Sequence, residues 1–152
     1  MPSHHLLKVK YLSEIAKEMG GLSYAHEGDA GMDIRVVDPS FTIIPGEHYL
    51  AHTGIAIHID DPFSVALMFP RSGNATKKGI VLKNTVGVID SGYTGEIRVA
   101  LMNIGNEPVR IETGERVAQL ILMPIHVARI IEVQDLENTT RGSGGFGSTD
   151  GA

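Results

Sequence analysis

Short apolar runs broken by glycine and proline dominate the chain, and their spacing predicts strands. Ile55, Ile57 and Ile59 alternate with Ala56 and His58, and Ile97, Val99 and Leu101 alternate with Arg98 and Ala100. A period of two places each trio on one buried face of a strand. Residues 64–69 and 117–123 are nearly all apolar on both parities, the pattern of strands covered on two faces, with subunit contacts as one source of the second cover. Residues 6–11, 42–44, 109–111 and 127–133 are further strand candidates, and Pro45, Pro108 and Pro124 mark turns or edges. So many short strands predict an all-β barrel or jelly roll.

Helix is scarce. Ser13 is placed to cap a turn through Ile15, Ala16 and Met19 that Gly20 and Gly21 stop, and Ser72 to cap another through residues 74–78 before Gly79. From Asn138 the chain becomes glycine-rich with one aromatic, Phe146, and cannot pack a core by itself. The expected organisation is a β domain over residues 1–137 and a flexible glycine-rich lid over residues 138–152.

Composition narrows the classes. A chain of 152 residues, 42% apolar and 20% charged, fits one folded domain. The absence of cysteine excludes disulfides, thiolate metal sites and a cysteine nucleophile. No segment approaches the roughly 20 apolar residues of a membrane span, so the expectation is a soluble protein of the cytoplasm, or of the host-cell interior if viral, with no membrane partner. A formal charge of −5 argues against direct nucleic-acid binding. It still permits a small anion held by a few converging cations and N–H groups.

Five places carry candidate chemistry. Pro70-Arg71-Ser72-Gly73 follows an apolar strand and opens a helical turn, where orphan N–H groups and a guanidinium suit phosphate. On these four residues alone an ordinary strand-to-helix turn is the more economical reading. Residues 87–96 read as two strands joined by a hairpin, with Asp90 and Tyr93 near the turn; Asp90 there is a general base or merely an Asx-turn, and Tyr93 a site residue or a packed hairpin aromatic. Asp33 lies between apolar positions and calls for a partner: a Mg²⁺-bound water, or a salt bridge with Arg35 or Arg116. Gln119 interrupts an apolar strand, as an internally bonded amide or a ligand contact does. In the tail, Arg141 suits phosphate and Phe146 suits stacking on a base, although such a segment is more often a disordered end. The seven histidines show no metal spacing.

In order along the chain, AGMD, PRSG with the following KKGI, NTVGVIDSGYTGE, GERVAQL and RGSGGFGS closely resemble the five motifs of the trimeric dUTPase family. The resemblance runs from Ala30 to Ser148, and five motifs in order are far more specific than any one. It implies a distorted jelly-roll (β-clip) subunit in a homotrimer, with each active site drawing motifs from all three chains. It implies dUTP as substrate and Mg²⁺ as cofactor. The segment around Asn84, Gly87, Ile89 and Tyr93 would receive deoxyuridine, excluding thymine's methyl and the ribose 2′-OH by lack of space. Asp90 would bind the 3′-OH and activate the water that attacks the α-phosphorus. Arg71, Ser72, Gly73 and Gln119 would hold the phosphates, and Asp33 a metal-bound water. Arg141, Phe146, Gly147 and Ser148 would close over the nucleotide as a lid.

Many relatives carry Asp and Arg on either side of the sugar-packing tyrosine, where this chain has Gly92 and Thr94. The segment 13–23 looks longer and more helical than the family's usual connection. Three other readings compete: a dCTP deaminase of the same fold, for which the aromatic-rich pattern after the hairpin Asp is missing; a silent binder using the dUTPase shell; and a structural jelly roll, which would not need this ordered polar set.

Overall fold

The computed structural model describes residues 5–148; the ends of both expected units, residues 1–4 and 149–152, lie outside the described residues. Among the described residues ten strands are joined antiparallel: β1 (Leu7–Tyr11), β2 (Met32–Arg35), β3 (Phe41–Ile43), β4 (His48–Ile59), β5 (Ser64–Pro70), β6 (Ile80–Leu82), β7 (Gly87–Ile89), β8 (Glu96–Asn103), β9 (Val109–Ile111) and β10 (Arg116–Pro124). They form two four-stranded sheets, ordered β1-β4-β8-β6 and β2-β10-β5-β7, and a small pair β3-β9. The inner faces meet in one core, as in a jelly roll.

The alternations expected from sequence fill that core. Ile55, Ile57 and Ile59 from β4 and Ile97, Val99 and Leu101 from β8 are buried, while His58 and Arg98 face outward. Ile34, Val117 and Leu120 from the facing sheet complete it. Asn103 is fully buried at the end of β8, and its amide donates to Ile43 O and Glu107 O, each at 2.8 Å, while its Oδ1 accepts Gly105 N–H at 2.9 Å. A buried amide with all these groups satisfied ties the β8 end to β3.

The strand β4 is interrupted by a bulge between His52 and Ala56, where Gly54 takes φ +66°. The segment unassigned from sequence covers this bulge. Its helix α1 (Glu14–Glu18) buries Ala16, and a Cβ on Gly54 would lie 2.8 Å from Ser13 Cβ and 3.1 Å from Ala16 Cβ. Gly20 and Gly21 end it at positive φ as expected, but Ser13 makes no side-chain cap bond.

Three expectations are corrected. Residues 127–133 form no strand: they are irregular and exposed, Ile130 at 93%, because β2 and β5 already occupy both sides of β10 and no partner remains within the subunit. Residues 87–96 form no hairpin: β7 pairs with β5 and β8 with β4 and β6, so residues 90–95 cross between sheets. Residues 74–78 are a π-helical turn, Asn74–Lys78, with Gly73 rather than Ser72 at its N-terminal boundary and no side-chain cap. The second cover of β5 and β10 is also incomplete within one chain, with Met123 41% exposed.

Candidate active site

Two clefts flank the sheet β2-β10-β5-β7. The first, a cavity of about 260 Å³, is lined by Met68, Asn84, Gly87, Val88, Ile89, Asp90 and Tyr93, with Glu96, Ile97 and Arg98 from β8. The crossing between sheets builds it. The Tyr93 N–H donates to Asp90 O at 3.0 Å, a tight turn that sets the two side chains near one another at the cleft. The Tyr93 hydroxyl donates to Glu96 O at 2.8 Å, which fixes the ring while leaving it 48% exposed. The Asp90 carboxylate is exposed and has no hydrogen-bond partner among the described residues, so it is free to accept from a ligand or water. Gly87 permits close packing: a Cβ there would lie 3.1 Å from Met68 Cε and 3.7 Å from Asn84 Nδ2.

The second cleft, about 500 Å³, gathers Asp33, Arg71, Ser72, Gly73, Arg116 and Gln119 with the loop carrying Ala25, His26, Asp29, Ala30 and Gly31. The register explains the meeting, because Gln119 of β10 stands opposite Asp33 on β2 and Phe69 on β5. Asp33, 13% exposed, binds Arg71 Nε through Oδ1 at 3.3 Å and Arg116 Nη1 through Oδ2 at 3.1 Å. One carboxylate thereby orients two guanidiniums that line the cleft, and their N–H groups suit phosphate oxygens. Of the two salt-bridge partners expected from sequence, Arg116 is present; Arg35 instead donates to Gly114 O. Gln119 donates to Pro70 O at 3.0 Å and keeps its Oε1 toward Gly31. Arg116 is a cationic residue of the cleft that the motif reading left out of the site, as it did the loop residues 25–31, and the partner that Asp33 needed was the signal for it.

A resident metal cage is absent among the described residues, where no three His, Cys, Asp or Glu side chains converge. The donor set would suit a cation carried mainly by phosphates, since Mg²⁺ keeps waters and needs few protein ligands.

The tail joins neither cleft. Arg141, Gly147 and Ser148 enclose a small cavity of their own with a fully exposed Phe146, and Arg141 Nε donates to Gly144 O at 3.1 Å. Of the two departures, Gly92 faces open space and Thr94 lies against β1 and β4, outside the clefts.

Comparison with known proteins gives the class. The family model described as dUTPase matches residues 18–150. A deoxyuridine 5'-triphosphate nucleotidohydrolase of Haemophilus influenzae is 49% identical over 143 residues, covering 93% of this chain and 95% of the relative. One from Shewanella amazonensis is 46% identical over 136 residues, covering 89% and 90%. Among solved structures, a Staphylococcus bacteriophage 80alpha dUTPase variant with dUpNHpp superposes with a TM-score of 0.84 at 28% identity, covering 95% of this chain and 98% of the other. A phage phi11 dUTPase variant from S. aureus, described with a structural Mg(II) ion, gives 0.77 at 25% identity, covering 88% and 99%. Fold and relatives define a jelly-roll hydrolase of nucleotide metabolism. The chain belongs to the dUTPase family and is a dUTP diphosphatase.

Proposed function

We propose that the protein hydrolyses dUTP to dUMP and pyrophosphate at sites shared between the subunits of a homotrimer. The observation that carries this reading is the separation of the chemistry within one chain. The cleft of Asp90 and Tyr93 shares no lining residue with the cleft of Asp33 and Arg71, and the tail lines neither. A nucleotide needs all three, and a symmetric assembly brings one subunit's base and sugar cleft against a neighbour's phosphate cleft. The uncovered apolar residues Ile125, Val127, Ile130, Ile131 and Val133 support the same conclusion, since an exposed strand-like segment beyond the core calls for a surface on another chain.

In this arrangement Asn84 and the backbone of Gly87 and Ile89 read the uracil edge, and the Tyr93 ring packs beneath deoxyribose. Thymine's methyl and the 2′-OH find no space. Asp90 accepts the 3′-OH and takes a proton from the water that attacks the α-phosphorus, the P–O bond to the β-phosphate breaks, and pyrophosphate leaves. Arg71, Ser72, Gly73 and Gln119 hold the phosphate oxygens and stabilise the leaving group's charge. Mg²⁺ bound to those oxygens, with Asp33 reaching it through water, would supply further charge neutralisation. Arg141, Phe146, Gly147 and Ser148 close over the nucleotide and exclude water. The reaction would limit uracil incorporation into DNA and supply dUMP for dTMP synthesis.

The test is an assay with Mg²⁺ and dUTP, dCTP, dTTP or UTP, resolving nucleotide, pyrophosphate and ammonia. Pyrophosphate from dUTP alone is expected, and ammonia from dCTP would overturn the reading. Shared sites are tested by mixing subunits of Asp90→Asn and Arg71→Ala. Each variant alone is expected to be nearly inactive, and random mixed trimers to recover roughly a quarter of the sites. No recovery from verified mixed trimers would place both residues in one chain's site.

A further inference from the structure

Between the two residues that wall the base cleft, Asn84 and Gly87, the backbone does something costly. Thr85 takes φ +63°, and the Val86 N–H donates to Asn84 O at 2.7 Å. A bond across three residues with a positive central φ is a γ-turn of the rarer, strained hand. A β-branched residue is poorly suited to it, because its Cβ crowds the backbone at positive φ. Thr85 and Phe146 are the non-glycine residues at positive φ among the described residues, and Thr85 lies between two residues that line the base cleft without lining it itself.

The surroundings hold the turn in place. Thr85 N–H donates to Leu82 O at 3.0 Å, and Lys83 N–H to Ala100 O at 2.8 Å, anchoring the turn to β6 and β8. The Thr85 hydroxyl donates to Asn84 O at 2.6 Å. The Asn84 carbonyl therefore accepts two hydrogen bonds, from Val86 N–H and Thr85 Oγ1, and both its lone pairs are engaged. The Asn84 side-chain amide has no hydrogen-bond partner among the described residues and lines the cleft.

We propose that Thr85 is a positioning residue for base recognition: its strained turn, latched by its own hydroxyl, locks the Asn84 backbone so that the amide is presented to the pyrimidine in one orientation. The inference rests on the dUTP-hydrolysing reading above. Thr85 touches no reacting atom; it acts through Asn84. Preorganisation of this kind lowers the ordering cost of binding and sharpens discrimination by the edge that is read.

Thr85→Gly relieves the crowding and removes the latch. It is expected to raise KM for dUTP about ten-fold, hold kcat within about two-fold and narrow the dUTP-over-dCTP preference. The melting temperature should stay close to wild type, which separates positioning from a structural role. Thr85→Ser, which keeps the hydroxyl latch, should keep KM within about two-fold of wild type. If Thr85→Gly proves unstable, Thr85→Ala carries the test: it loses only the latch and the branch, and KM should rise with kcat held. Unchanged KM and preference in a folded variant, with wild type active on dUTP, overturns the positioning role alone. A wild type inert on dUTP overturns the functional reading and this inference with it.

Discussion

Gly31 lies against Gln119 so closely that a Cβ on Gly31 would stand 2.5 Å from the Gln119 Oε1 and 3.1 Å from its Cβ. No other residue fits there without moving the Gln119 amide, which lines the cleft of Asp33 and Arg71. Gly31→Ala is therefore expected to displace Gln119, break its bond to Pro70 O and reduce kcat/KM for dUTP about ten-fold or more, with little change in melting temperature. Steady-state kinetics beside a thermal melt checks it; wild-type kinetics would mean that Gln119 plays no part in holding phosphates.

Asp90→Asn keeps the shape of the cleft beside Tyr93 and would remove the proton acceptor proposed above. Binding of a non-hydrolysable dUTP analogue should remain within a few-fold of wild type, while turnover falls about a hundred-fold or more. Calorimetry and single-turnover rates separate the two effects, and full turnover would remove Asp90 as the base.

Deleting the chain from Arg141 onward removes residues of which the described ones, 141–148, contribute nothing to the core. The truncated protein should melt and assemble as the full chain does but hydrolyse dUTP at a small fraction of its rate. Retained activity would sink the lid.

The Asn103 amide is the polar hub of the core. Asn103→Ala leaves Ile43 O, Glu107 O and Gly105 N–H without that partner and opens a small cavity, so unfolding in denaturant at fixed protein concentration should show a loss of about 2–4 kcal/mol. A loss below about 0.5 kcal/mol would mean that water replaces the amide at little cost.

Asp61 holds the turn into β5. The Ser64 hydroxyl donates to its Oδ2 at 2.6 Å and the Phe63 N–H to its Oδ1 at 2.9 Å, and these bonds hold its carboxyl below the ordinary aspartate range. A depressed folded-state value stabilises the fold above the unfolded value of about 4, and that contribution is lost as pH falls through the lower folded value. The difference in melting temperature between wild type and Asp61→Ala should therefore be full near neutrality and shrink below about pH 4. A gap independent of pH would contradict the carboxylate's role.

The chain's local pattern determined the strands and the identity of the chemical groups. Ile55, Ile57, Ile59 and Ile97, Val99, Leu101 announce their buried faces because a strand's period of two depends on backbone geometry alone. Asp33, Arg71, Asn84, Asp90, Gln119 and Arg141 stand out as candidates because the five short motifs hold together in sequence; the fold brings the first five to the two clefts and leaves Arg141 outside them. Pairing depends on the whole molecule. Residues 87–96 read as a hairpin because two strands close in sequence usually pair, yet β7 found β5 and β8 found β4 and β6. Residues 127–133 have strand composition but no free neighbour within the subunit. The Arg116 bond to Asp33, the γ-turn at Thr85 and the separation of the two clefts were decided by tertiary structure. The salt bridge and the separation of the clefts arise where segments distant in the chain meet, so the sequence could offer Arg116 only beside Arg35, and the γ-turn is a local strain held by bonds to β6 and β8.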